Sequence, residues 1–204
     1  FIHVVAPATL TIQPGTIIKG NEQSALFILR GAKINAVGRA DAPIVMTSSK
    51  AVGSRRAGDW GGLIIVGNAP INKTTANPRL EGTGTDGSTS GSGRNYEILY
   101  GGGTNDADDS GELRYVRVEF AGFAPQANQE LNSFTFAAVG SGTRVSHLQA
   151  VYGLDDAFEW FGGSMNATNL VSYETGDDHF DMAEGFRGRL QFLIGLQSAT
   201  VTIN

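Results

Sequence analysis

At 204 residues the chain has room for one sizeable domain with a buried core, or for two small ones. Its 15 Lys+Arg against 20 Asp+Glu give a net charge of −5, which argues against nucleic acid and anionic membranes as partners and favours cations or neutral ligands. The absence of cysteine excludes disulfides and thiolate metal sites, and no apolar run approaches the ~18–20 residues of a membrane-spanning helix.

In chain order, the segment FIHVVAPATLTIQPG opens in mid-strand character without an initiator Met or a signal peptide, as expected of a processed or trimmed product. Short apolar/polar alternations follow at ATLTIQPGTIIKG (8–20), ALFILRGAKINAVG (25–38), GGLIIVGNAPI (61–71), LRYVRVEFAG (113–122), SFTFAAVG (133–140), RVSHLQAVYG (144–153), NLVSYETG (169–176) and RLQFLIGLQ (189–197). Each ends near Gly, Pro or Asn, helical periodicity with caps is absent, and 28 glycines without a collagen repeat supply the turns, so the chain is predicted to be all-β. NKTTANPRLEGTGTDGSTSGSGRNYE (72–97) breaks the pattern and reads as a flexible surface excursion from a single domain over 1–204.

A repeat chooses among all-β folds. Asp155, Asp156, Phe158 and Glu159 recur as Asp177, Asp178, Phe180 and Asp181, each 22 residues on. Leu148, Leu170 and Phe192 keep the same step, as do Ala150, Ser172 and Ile194, and Trp160 matches Met182. VRVEFAG (116–122) and NSFTF (132–136) repeat at offsets of 32 and 24 as LQAVYGL (148–154) and DAFEW (156–160). A period in the low twenties built from short strands and glycine turns predicts a parallel β-helix with side-loop insertions, against a sandwich or Greek-key barrel, whose strands need no such repeat.

The set LTIQPGTIIKG, GDWGGLIIVGNAPIN (58–72), GELRYVRVEFAG, DDAFEWFGG and DDHFD resembles a family of secreted bacterial surface β-helix proteins, found as lipoproteins or type IX secretion cargo. The resemblance covers nearly the whole chain. It implies a right-handed parallel β-helix outside the cell or on its outer surface, and no established reaction comes with it.

Stacking one period apart sets the repeated acids on adjacent coils about 4.8 Å apart. Two carboxylates at that distance repel by about 3.5 kcal/mol at an effective dielectric of 20, so a cation, a proton or turn amides must offset them. Asp155, Asp156, Asp177 and Asp178 fall in the turns before the strands, where carboxylates and free carbonyls suit Ca²⁺; the plainer reading is that aspartate is a good turn residue bonding its own amides. DADDSGE (106–112) offers Asp106, Asp108 and Ser110 at alternating positions before Gly111, like half of a calcium loop, but Arg117 stands where the last ligand belongs.

Catalysis is the alternative. Asp177, Asp178, His179 and Asp181, with Arg187 or Arg189, could supply acid, base and cation to a polysaccharide hydrolase or lyase, although a repeated motif is more natural to structure than to a singular active site. His3, His147 and His179 show no triad or metal spacing. Alternation turns Phe158, Trp160, Phe180 and Met182 inward and Glu159 and Asp181 outward, so the Phe134, Phe158 and Phe180 ladder is expected in the core and not as an exposed sugar platform. ATLTIQ (8–13) resembles ATVTIN (199–204), which suggests end-to-end self-association into a filament, or a longer β-helix cut short.

Overall fold

The structure is a computed structural model and describes residues 1–88 and 93–199. Among these, fourteen strands wind through six coils. The first holds β1 (Ile2–Val4), β2 (Thr9–Ile12) and β3 (Ile17–Gly20), and the second β4 (Leu26–Ile28), β5 (Lys33–Val37) and β6 (Ile44–Ser48). The third holds β7 (Leu63–Val66) and β8 (Gly111–Glu119), and the fourth β9 (Phe134–Ala137) and β10 (Arg144–Val151). The fifth holds β11 (Phe158–Phe161) and β12 (Asn166–Tyr173), and the sixth β13 (Asp181–Ala183) and β14 (Leu190–Leu196). One sheet runs β1-β4-β7-β9-β11-β13 and the other β14-β12-β10-β8-β5-β2, with β3 and β6 beside it. Every ladder between these strands is parallel, which excludes the sandwich and makes the fold a parallel β-helix.

Left-handed backbone turns the corners. Tyr115, His147, Asn169 and Phe192 have φ between 50° and 60° and bend β8, β10, β12 and β14 at one corner. Phe120, Tyr152 and Glu174 mark a second corner, and Ala138, Gly162 and Glu184 a third. Non-glycine residues persist in this region only where the surroundings over-determine them, and here the ladders above and below do so. The first half of β8 pairs with β5 and the second half with β6, so the bend divides one continuous strand between two faces.

The repeat is spatial. Glu159 faces Asp181, Trp160 faces Met182, Phe158 faces Phe134, and Leu148 lies between Val116 and Leu170. One expectation is corrected: Leu170 faces Leu193 and Ser172 faces Gly195, not Phe192 and Ile194. Phe161 to Ala183 is a step of 22 and Ala167 to Leu190 a step of 23, so one extra residue enters the turn between β13 and β14. Phe192 thereby reaches the corner and is 64% exposed.

Phe134, Phe158 and Phe180 stack inside the coil, with centroids 5.0 and 5.5 Å apart and planes within 3° and 10°. Phe136 and Trp160 form a parallel column at 5.8 Å. Each such ring stabilises the fold by roughly 1.5–3 kcal/mol through burial. Met182 keeps the inward phase but is half-exposed, because β13 is an edge strand.

The excursion carries no strand among its described residues, yet it packs against the coil. Its described residues form a flap over the outer face of the six-stranded sheet, with Leu80, Tyr96, Ile98 and Tyr100 packed on Phe27, Ile64, Val66 and Phe161 in a second core. Arg30 staples it down, donating from Nη2 to Tyr100 O at 2.7 Å and Gly101 O at 2.8 Å and from Nε to Gly67 O at 2.9 Å. Strands β7, β9 and β11 are therefore buried on both faces. Residues 200–204, most of the terminal segment likened to 8–13, lie outside the described residues.

Candidate functional site

The repeated acids differ in burial: Asp155 and Asp181 are half-buried, and Asp177 and Asp178 are exposed. Glu159 points out of the coil as alternation requires, but it lies under the flap and is buried, as is Asp156. Carboxylate oxygens of Asp155, Asp156 and Asp177 lie within 4.8 Å of one another, and so do those of Asp156, Glu159 and Asp181, with Asp156 common to both groups. The Asp178 carboxylate belongs to neither triad; its backbone N–H donates to Asp156 Oδ1 at 2.8 Å, a turn amide of the kind expected to offset stacked charge.

Burial is the main reason these groups resist ionisation. It pushes Asp155 up to about 7, with Glu130, Asp177 and Glu81 adding repulsion. It pushes Asp156 up to about 8, helped by Asp155, and Glu159 up to about 9, helped by Asp156 and Asp181. Asp181 is raised by burial and by Asp178 and Asp177. Among the described residues none of the ion pairs reaches this cluster. The neutral amide of Asn132 enters it instead: Nδ2 donates to Glu159 Oε2, while Oδ1 is buried without a partner.

Three residues here escaped the sequence reading. Asn132 was within reach, because aligning NSFTF with DAFEW places it at the position of Asp156. Glu81 comes from the flap and Glu130 from the loop before β9, and no spacing connects either to the repeat. Glu81 is raised by burial and by Glu130, whose backbone N–H it accepts.

The other candidates separate. His179 turns away from the acids, its Nδ1 2.7 Å from the buried Ser172 Oγ. Arg187 pairs with Asp106 at 2.5 Å, and Arg189 contributes its backbone N–H to Asn166 Oδ1 at 2.9 Å. The set Asp177, Asp178, His179, Asp181 thus does not converge on one point. In the 106–112 loop, Asp106 also accepts at its carbonyl from Ser141 and Ser164, Asp109 pairs with Lys33 at 2.6 Å, and Ser110 Oγ donates to Asp108 at 3.3 Å. The acids of that loop fasten neighbouring coils and do not gather into a cage.

A groove of about 620 Å³ opens beside the second corner, lined in part by Arg55, Arg56, Phe120, Tyr152, Leu154 and Glu174. The rings of Phe120 and Tyr152 stack at 5.5 Å with planes 17° apart, and Tyr152 is 41% exposed. Asp59 fixes the loop that carries the arginines, accepting from Lys50 Nζ at 2.8 Å, Ser48 Oγ at 2.6 Å and Arg56 N at 3.0 Å.

The acid cluster is a set of hard oxygens without a protein counter-charge, and it can take a cation or share protons. The unpaired Asn132 Oδ1 is a separate cost, because a buried carbonyl oxygen is left without a donor. No curated protein and no solved structure gives a match to this chain. A family model described as a pectate-lyase like beta helix domain matches residues 2–203, in agreement with the coiled parallel sheets. The chain is therefore a member of the pectate-lyase-like β-helix domain family.

Proposed function

We propose that this domain is a structural β-solenoid of the bacterial cell exterior, in a surface or adhesive role, stabilised by Ca²⁺ held among Asp155, Asp156, Glu159, Asp177 and Asp181. The observation that carries this reading is the pair of acid triads sharing the buried Asp156, running from the buried Glu159 to the exposed Asp177, with no Lys or Arg paired to them among the described residues. Ca²⁺ accepts six to eight oxygens in irregular geometry, whereas Mg²⁺ demands a strict octahedron and gives up its water reluctantly. Melting with Ca²⁺, with Mg²⁺ and with a chelator tests it: a ligand bound only to the folded state raises the midpoint by mass action, so Ca²⁺ raises it clearly and Mg²⁺ little. Identical midpoints in Ca²⁺ and chelator would reduce the cluster to carboxyls that share protons.

End-to-end assembly draws support from the edge strands β1 and β13 and from the exposed Ile2, Ile17, Phe192 and Ile194. Monodisperse particles by electron microscopy at high concentration, with and without Ca²⁺, would remove it. A second reading, a polysaccharide-binding or polysaccharide-cleaving module, is favoured by the groove, where the exposed Phe120–Tyr152 stack stands beside Arg56. A panel of neutral and acidic polysaccharides, assayed for retention and for released reducing or unsaturated ends, separates binding from cleavage.

A further inference from the structure

Paired positions, followed from coil to coil, form unbroken columns of side chains. Ile17, Val45, Arg117, Gln149, Val171 and Ile194 make one such column. On the six-stranded sheet, Val4 heads the column that ends at Met182, and His3 heads the column that ends at Asp181. Of the ten exposed large apolar side chains among the described residues, three stand on the first coil and four on the sixth. Ile17 is 63% exposed, and Ile194 and Met182 are each 52% exposed. Apolar exposure therefore gathers on the two faces where the columns stop.

Those faces are complementary. Strand β1 bonds toward β4 through Ile2 N–H, which donates to Ala25 O at 2.9 Å, and through Val4 O, which accepts from Leu29 N at 2.9 Å. Alternation in a parallel ladder turns the N–H and C=O of His3 the other way. Strand β13 is tied to the fifth coil by Ala183 O, which accepts from Gly162 N at 3.0 Å, so the N–H and C=O of Met182 face away from that coil. The first coil opens into an apolar cavity of about 320 Å³ lined in part by Ile2, Leu10, Ile18 and Trp60. The sixth coil presents the half-buried Phe186, its ring 5.5 Å from Trp160. Charge favours the meeting of unlike faces. Two sixth coils brought together would set Asp177, Asp178 and Asp181 against their own copies, whereas a first coil brings His3 to Asp181.

We propose that a second copy of this chain docks head to tail on these faces, its first coil continuing the sixth coil in unbroken register. The partner's Ile17 then lies on Ile194, the partner's Val4 on Met182 and the partner's His3 on Asp181. The inference rests on the end-to-end reading above and fixes its register and polarity. The contact is heterologous, and a contact that repeats the coil step advances along one axis without closing on itself.

The chain has no cysteine, so introduced thiols report the register. In the docked pair, Ile17→Cys and Ile194→Cys sit opposite each other on neighbouring strands, within the span of a disulfide. Mild oxidation of that double variant gives a ladder of covalent oligomers on non-reducing gels. Ile17→Cys with Met182→Cys, on different sheets, gives no ladder, and Ile17→Cys alone gives no dimer. Sedimentation velocity of the unaltered chain shows larger species as concentration rises. Ile17→Lys or Ile194→Glu, each at an exposed position, raises the concentration required by about tenfold or more while the melting point holds. Mixing these two variants restores assembly, because the introduced charges then meet as an opposite pair. Larger species without the ladder, an equal ladder from the control pair, or dimers from Ile17→Cys alone would overturn the register and leave end-to-end assembly standing. A chain that sediments as a monomer at every concentration and gives no ladder would remove both.

Discussion

Replacing Glu159 by Gln keeps the shape of the side chain and its place beside Asn132 while removing one buried charge. In the metal-free protein the folded state holds the Glu159 proton up to about 9, whereas the unfolded chain releases it near 4.5. An acid raised in this way costs nothing below its unfolded value and removes stability as the pH climbs toward its folded value, at about 1.4 kcal/mol per unit. From 4.5 to pH 8 is 3.5 units, or about 5 kcal/mol at the limit. Halving this, because Asp156 and Asp181 share the repulsion and relax when one member is neutral, leaves ~2 kcal/mol. In chelator at pH 8, Glu159→Gln is therefore the more stable protein by about 4–8 °C in melting temperature, and near pH 4.5 the two coincide. Saturating Ca²⁺ reverses the order, since the carboxylate becomes a ligand that the amide replaces poorly. Thermal melts across pH, with and without Ca²⁺, read all of this. A Gln variant equally destabilised at both pH values in chelator would show that the carboxylate makes a favourable contact, and the reasoning from burial and repulsion would fail.

Phe158→Ala empties the middle of a three-ring stack at a fully buried position and costs about 3–5 kcal/mol, a fall of roughly 10 °C in melting temperature by calorimetry. Gly111 has φ +114° and a Cβ there would stand 2.0 Å from the backbone oxygen of Ile34, so Gly111→Ala forces β5 and β8 apart and yields little folded protein by circular dichroism. Tyr152→Ala removes the exposed ring of the groove; if a glycan binds there, affinity electrophoresis shows its retention lost while the melting point changes by only a few degrees.

The coil was legible because its evidence is periodic. Matching Asp155 to Asp177 and Phe158 to Phe180 required only that one interval recur, and stacked coils turn such an interval into contact. The slip at Phe192 was not legible, since one added residue in a turn leaves the apolar alternation of RLQFLIGLQ intact while moving its phase. The packing of the flap was hidden for a related reason. Its Gly, Ser and Thr suggest a loose loop, and the few residues that anchor it, Leu80, Tyr96, Ile98 and Tyr100, follow no period. The signal lay on the other side of the contact: LIIV in β7 is apolar in both phases, which an open sheet face does not need and a covered one does. For the same reason Glu159 could be placed on the outside of the coil but not known to be buried, and Glu81 and Glu130 had no reason to be grouped with it.

A solenoid in which each coil touches only its neighbours loses structure piecemeal, fraying inward from whichever end is weaker. The flap alters that arithmetic by resting on Phe27, Ile64, Ala137 and Phe161, side chains drawn from four successive coils. It works as a splint laid along the stack, so the second through fifth turns share one melting event and unravelling from either end halts at its margins.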